Sequence, residues 1–125
     1  KYVSRHIVDA ARRARGGWEG VVEIGDLGVI KEWTFAGDTA KAMVVLVNSQ
    51  TPEAVIGSGE GHSIGEWAAA CFGAVGSPWE RYVRQAANFT APYRRLVSDP
   101  RVIRSLGWQP EVSMPELAAM MMEGA

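Results

Sequence analysis

The chain has 125 residues, of which 47% are hydrophobic and 22% charged, and its formal net charge is −1 at pH 7. This is the composition of one ordinary globular domain spanning residues 1–125, and it excludes the disordered and fibrous classes. Because no basic excess exists, nucleic acid is not an expected partner. The single cysteine, Cys71, cannot form an internal disulfide, which predicts a reducing, cytoplasmic compartment. The longest apolar run, residues 42–47, is too short to span a bilayer, so no membrane insertion is expected.

The first half of the chain predicts two helices separated by extended segments. Apolar residues at helical spacing indicate a helix over 5–15, with Ser4 as its N-cap. Runs of β-branched residues on both sides of a Gly/Asp turn indicate a strand at 20–24 and an extended segment at 29–33. A second helix is predicted over 37–48.

The second half of this second helix, Met43 to Val47, has no polar face. A helix that is apolar all round must be covered on more than one side, which a 125-residue domain can hardly provide. We therefore expect a partner on this helix, either a second copy of the chain or another chain.

The second half of the chain predicts three more helices and short strands. Ser63 and Ser113 each stand three residues before a glutamate, which is the capping-box pattern that opens a helix. The predicted elements are a strand at 54–57, a helix from Ser63 to about Val75, a strand at 81–83, an irregular loop at 84–98, a short helix capped by Asp99-Pro100 with Pro100 in its first position, and a helix from Ser113 to Met122. Together these elements predict an α+β fold with about five short helices and three or four short strands.

Catalytic and metal-binding motifs are absent from the sequence. No G-x-S-x-G or H-E-x-x-H occurs, and one cysteine with two scattered histidines does not form a metal signature. The glycine run Gly57–Gly61 follows a predicted strand and precedes a helix, as a dinucleotide loop would. Its spacing is G-x-G-x-G with Glu60 inside, however, which favours a tight turn with positive φ over a phosphate loop.

Three further features are interpreted as core. Cys71 lies among alanines and Phe72 on a predicted helix, so a buried, inert thiol is expected. The run Met120–Met122 is interpreted as adaptable core packing, with an interaction surface as the alternative. Three tryptophans near apolar segments are expected to anchor the core: Trp33, Trp67 and Trp108.

Several segments, taken in order, resemble one family. They are Tyr2-Val3-Ser4-Arg5, Ile24-Gly25-Asp26-Leu27, Lys31-Glu32-Trp33, Asp38 with Ala42-Met43, Ile56 to Trp67, Asp99-Pro100, Leu106 to Pro110, Val112-Ser113 and Glu116-Leu117. In this order they resemble the C-terminal, substrate-binding part of the GDP-mannose 4,6-dehydratase family, within the extended short-chain dehydrogenase/reductase nucleotide-sugar dehydratases and epimerases.

The resemblance implies a two-part enzyme of which this chain holds one part. Family members have a Rossmann domain that binds NADP and a smaller domain that binds the nucleotide sugar. Their chemistry needs a glycine-rich cofactor loop and a Tyr-x-x-x-Lys pair, and neither occurs here, because His6, Ala86 and Val97 stand four residues after the three tyrosines. No cofactor is therefore expected in this chain and no catalysis by it alone. The chain opens without methionine, which indicates a processed chain or a piece of a longer one.

The resemblance also implies a set of substrate-binding residues. They are Val3, Ser4, Arg5, Gly25, Leu27, Lys31 and Arg94. In the family a basic residue at the position of Lys31 faces the diphosphate, and the residue at Leu27 lies against the base. Lys31 could instead be a solvated strand lysine, and Arg94 enters only as a substitute for the arginine of an Arg-Pro pair that this sequence lacks.

The resemblance thus predicts the nucleotide-sugar-binding portion of a sugar-nucleotide 4,6-dehydratase. In the family, the helix equivalent to the one around Met43 packs against the Rossmann domain, so a Rossmann-type chain is one expected partner. The alternative is a non-catalytic interaction or dimerisation module that kept the fold and lost the ligand.

Overall fold

A computed structural model describes residues 2–124. It contains five α-helices and five short strands within that range, in agreement with the predicted α+β class. The helices are α1 (Val3–Arg15), α2 (Ala36–Val47), α3 (Ile64–Gly73), α4 (Arg101–Ser105) and α5 (Met114–Met122). The strands are β1 (Val22–Ile24), β2 (Ile30–Lys31), β3 (His62–Ser63), β4 (Val83–Gln85) and β5 (Arg95–Leu96).

The strands form two small sheets. Strand β1 pairs with β4 in parallel, while β2 lies between antiparallel β3 and parallel β5. Both sheets are built from segments far apart in the chain. The loop between β1 and β2 is therefore held from both ends against later parts of the sequence.

The apolar residues form two separate clusters. The main cluster packs α1, α3 and α5 against β1 and β4, with Trp67 and Phe72 fully buried at its centre. The second, smaller cluster lies between α2 and α4 and is formed by Ala42, Ile103 and Trp108. Cys71 is buried in the main cluster, and burial raises the pKa of its thiol to about 12, so this thiol is inert as predicted.

Helix starts follow the serine signals in two cases of three. The Ser63 hydroxyl accepts the Glu66 N–H at 3.0 Å, and Ser113 with Glu116 forms a complete capping box. The prediction for Ser4 was wrong: Tyr2 is the N-cap of α1, and Ser4 lies in the first turn with no capping bond. Because Tyr2 is already extended and its carbonyl accepts the His6 N–H, the helix begins before the serine.

Four further element predictions are corrected by the structure. Residues 54–57 form no strand, and Ala54 and Ile56 pack instead on the second cluster. The strand predicted at 81–83 is a 3₁₀ turn, Trp79–Arg81, followed by β4, and the predicted loop at 84–98 contains β5. Pro100 is the N-cap of α4 rather than its first residue. These short strands are set by pairing with distant partners, which local patterns do not reveal.

No helix within residues 2–124 is long and apolar enough to cross a membrane.

Candidate functional site

Two adjacent charged side chains at the end of β2 lie in different environments. The Glu32 carboxylate accepts the N–H groups of Gly59 and Ser98 at 2.6 and 2.7 Å, and the hydroxyls of Ser58 and Ser98 at 3.0 Å each. Burial alone raises the pKa of Glu32, but these four hydrogen bonds outweigh it and hold the pKa below its usual value. Glu32 therefore stays ionised and fixes the loops that flank β2.

Lys31 has no such partner among the described residues. Within residues 2–124, its ammonium makes no ion pair, and Nζ lies 4.7 Å from the centroid of the Trp33 ring. Burial lowers the pKa of Lys31, because part of its hydration is lost without an anion to replace it. An unpaired, partly desolvated cation favours binding of an anionic ligand.

Two cavities meet at Lys31. The first, which we call the Phe89 cavity, has a volume of about 210 Å³. Its lining is Val3, Ile24, Gly25, Asp26, Val29, Lys31, Ile64, Phe89, Ala91, Pro92 and Tyr93. The second, which we call the Met120 cavity, has a volume of about 400 Å³. Its lining is Ser4, Lys31, Glu32, Trp33, Thr34, Phe35, Ala36, Trp67, Leu117, Met120 and Met121.

Gly25 lets an aromatic ring lie on the backbone of the Phe89 cavity. A Cβ atom at position 25 would stand 2.7 Å from ring carbons of Phe89, which real side chains do not tolerate. Phe89 is 51% exposed and Tyr93 39% exposed, so both rings remain available to a ligand. Aromatic faces of this kind stack on nucleobases.

The carboxylate in the Phe89 cavity, Asp26, already has an ion-pair partner. Asp26 accepts the Gly28 N–H at 2.8 Å and pairs with Arg94 at 2.9 Å. The Arg94 side chain is largely exposed at this pair. An anion next to Lys31 would therefore not face an unpaired acid.

The structure brings together four of the seven residues implied by the resemblance. Val3 and Gly25 line the Phe89 cavity, Ser4 lines the Met120 cavity, and Lys31 lines both. The other three, Arg5, Leu27 and Arg94, line neither cavity.

Arg5 points to Asp9 on its own helix, with Nε 3.3 Å from the carboxylate. Leu27 packs against the main cluster and lines a different surface depression beside Trp79. Arg94 lines neither cavity and reaches the site only through Asp26. Binding roles for all seven residues remain predictions.

Sequence reasoning missed Phe89 and Tyr93. Both lie in a stretch with no clear motif, and their one signal is a pair of aromatic residues close to Pro92. Two parallel pairings, β1 with β4 before this stretch and β2 with β5 after it, bring it beside Gly25 and Lys31.

The glycine run Gly57–Gly61 does not fit a dinucleotide. Gly59 has φ +76°, so the tight turn predicted for this run is confirmed. The N–H that a phosphate would need is donated to Glu32, whose negative charge would repel one. A third cavity beside this run, about 290 Å³, is lined by Glu60, Glu111 and Glu116 with one arginine, Arg104, and equally disfavours an anion.

Comparison with known proteins gives consistent results. A match to the family described as GDP-mannose 4,6 dehydratase extends over residues 1–121. The chain is 30% identical to GDP-mannose 4,6 dehydratase 2 of Arabidopsis thaliana, over 98% of the chain and 34% of that protein. It is 34% identical to putative GDP-L-fucose synthase 2 of rice, Oryza sativa subsp. japonica, over 87% of the chain and 33% of that protein. The chain thus spans about a third of the curated relatives it matches.

Solved structures share the fold. RMD from Pseudomonas aeruginosa, complexed with NADPH, matches with a TM-score of 0.83 and 18% identity, over 97% of this chain and 41% of that one. UDP-glucose 4-epimerase from Thermus thermophilus, in complex with NAD, matches with a TM-score of 0.69 and 25% identity, over 95% of this chain and 40% of that one.

Proposed function

The chain belongs to the GDP-mannose 4,6 dehydratase family, and on that premise we propose that it is the nucleotide-sugar-binding portion of such an enzyme. The observation that carries this proposal is that Lys31, whose ammonium makes no ion pair within residues 2–124, lines a cavity with exposed aromatic rings. The nucleoside occupies the Phe89 cavity against Phe89 and Tyr93, and the diphosphate lies at Lys31.

The chemistry at this site is binding and orientation. Lys31 supplies charge to the diphosphate, and the Phe89 ring supplies an apolar face to the base. Cofactor binding and hydride transfer are not part of this proposal. In the glycine-rich loop Gly57–Gly61, the Gly59 N–H is already donated to Glu32. A cytoplasmic location is part of this proposal, since the single cysteine of the chain cannot form an internal disulfide.

A titration with GDP-mannose and with GDP tests this proposal. We expect both to bind and to shift the amide resonances of Gly25, Lys31 and Phe89. Lys31→Met removes the charge and keeps most of the stem, so it should weaken binding about 10-fold or more. Lys41→Met is the matched control, since Lys41 is exposed and paired with Glu111 at 3.0 Å. A flat titration, or equal losses in both variants, contradicts the proposal.

The alternative function is a dimerisation module, and the outer face of α2 favours it. Met43, Val44 and Val47 are 55%, 60% and 81% exposed, on the helix whose other side packs on the second cluster. Burying each of these side chains would contribute roughly 1–3 kcal/mol. A second copy of the chain is the proposed cover for this face.

Sedimentation at protein concentrations from about 1 to about 100 µM tests this alternative, because a modest interface dissociates in about that range. We expect the wild-type chain to self-associate and Val47→Glu to remain monomeric, because the new charge would be buried in the interface. Val21→Glu changes an exposed valine next to β1, away from α2, and should leave association intact. A monomeric wild-type chain rules out the second copy.

A further inference from the structure

The Met120 cavity is the larger of the two cavities at Lys31, and the proposed function does not use it. Its volume is about 400 Å³, and its walls come from α1, α3, α5 and the segment that joins β2 to α2. Phe35, Leu117, Met120 and Met121 give it an apolar interior. Methionine side chains are flexible, so this wall can accommodate apolar groups of different shapes.

The one cation among the described residues of this cavity lies on an aromatic pair that is held in place. Trp33 stacks on Trp67 with ring centroids 4.6 Å apart and planes 5° apart. The Trp33 indole N–H donates to the His62 carbonyl at 2.9 Å, and that of Trp67 to the Ser4 carbonyl at 3.2 Å. The Lys31 ammonium lies over the Trp33 ring of this fixed pair.

The remaining polar groups are too few for a sugar. Glu32 also lines the cavity, but its oxygens already accept four hydrogen bonds. Ser4 and Thr34 are the other polar side chains of the described wall. A hexose buried here would leave several hydroxyls without partners, each at a cost in free energy, whereas one anionic group and an apolar body would match the lining.

We propose that the Met120 cavity binds a small amphipathic anion, with its carboxylate or phosphate at Lys31 and its aryl or alkyl body against Phe35, Met120 and Met121. This site needs neither a nucleotide nor a sugar. Because Lys31 lines both cavities, a ligand here and a diphosphate at Lys31 compete for one charge. An amphipathic anion therefore lowers the apparent affinity of the nucleotide site.

Methyl resonances of ¹³C-labelled methionine report directly on this cavity. The chain has five methionines, and Met43 lies on the exposed face of α2, so it serves as an internal control. With 4-phenylbutyrate as the probe, we expect the Met120 and Met121 signals to shift in a saturable way and the Met43 signal to stay in place. The neutral 4-phenyl-1-butanol should bind about 10-fold more weakly, since it lacks the charge. Equal affinity for the acid and the alcohol, a shift of Met43 alongside Met120, or no shift at all overturns the proposal.

Variants separate this site from the nucleotide site. Phe35→Ala and Met120→Ala should each weaken 4-phenylbutyrate about 5-fold or more, since each removes apolar wall area, while Phe89→Ala should leave it unchanged. Lys31→Met should remove the preference for the acid over the alcohol, and Lys41→Met should retain it. Circular dichroism checks that each variant is folded, and agreement of two wall variants guards against a local folding defect. If GDP fails to bind while 4-phenylbutyrate still shifts Met120, the nucleotide proposal alone is lost; the converse result removes only this site.

Discussion

At the end of β2, the adjacent residues Lys31 and Glu32 carry opposite charges and have different partners. Glu32 is satisfied by four donors from two loops, while Lys31 rests on an indole ring with no anion beside it in the described part of the chain. The carboxylate thus holds two loops against β2, and the proposed function assigns the ammonium to an anionic ligand.

At the residue scale, we predict how Glu32 affects the stability of the folded chain in acid. The pKa of Glu32 in the folded state lies below its unfolded value of about 4.3. Its contribution to stability is therefore present above that value and is lost as the pH falls through the folded pKa. Glu32→Gln should lower the free energy of unfolding at pH 7 and flatten its decline between about pH 5 and pH 3, as measured by urea unfolding at several pH values.

Glu53→Gln is the control for this measurement, since Glu53 is exposed. Its acid profile should match that of the wild-type chain. An unchanged pH profile in Glu32→Gln would show that the four hydrogen bonds do not favour the ionised carboxylate.

Helix starts are decided at the scale of the element. Ser113 is the N-cap of α5. Its hydroxyl accepts the Glu116 N–H, and the Glu116 carboxylate accepts the Ser113 N–H. Ser4 has the same side chain but lies inside the first turn of α1. A capping residue stabilises a helix only at the boundary, where N–H groups lack partners.

We predict that Ser113→Ala and Ser4→Ala differ clearly in thermal stability. Ser113→Ala should cost about 1 kcal/mol, or about 4 °C in melting temperature, because the hydroxyl that accepts the Glu116 N–H is lost. Ser4→Ala should stay within about 0.5 kcal/mol of wild type, since it removes no cap. Equal losses in calorimetry would mean that α1 begins at Ser4 in solution.

At the scale of the whole molecule, one buried carboxylate ties the second cluster to the start of α5. Asp38 is 2% exposed and accepts the N–H groups of Glu111 and Val112 at 3.0 Å each. Its own carbonyl accepts the Trp108 indole N–H at 2.9 Å. Helix α2 is thereby held to the segment that leads into α5.

Asp38→Ala should loosen the second cluster before the main one. Two N–H groups would lose their acceptor, at a cost of about 1–3 kcal/mol. In hydrogen exchange, amides of α2 and α4 should lose protection while those of α1 and α3 retain it. Glu53→Ala, an exposed change near the same cluster, should leave both patterns intact, and uniform loss across the chain would contradict a division into two clusters.

The sequence by itself determined the family, the α+β class, most helix bounds and the inert Cys71, because these depend on local periodicity, capping signals and residue types in order. Its resemblance to the family also implied seven substrate-binding residues, of which Val3, Ser4, Gly25 and Lys31 line the two cavities. Only the tertiary structure decided which of the implied residues meet, since the β1–β4 and β2–β5 pairings bring Phe89 and Tyr93 beside Gly25 and Lys31 from more than fifty residues away. It also showed why the glycine run is closed to phosphate: the anion that occupies it is Glu32 of the same chain, a contact that no local pattern contains.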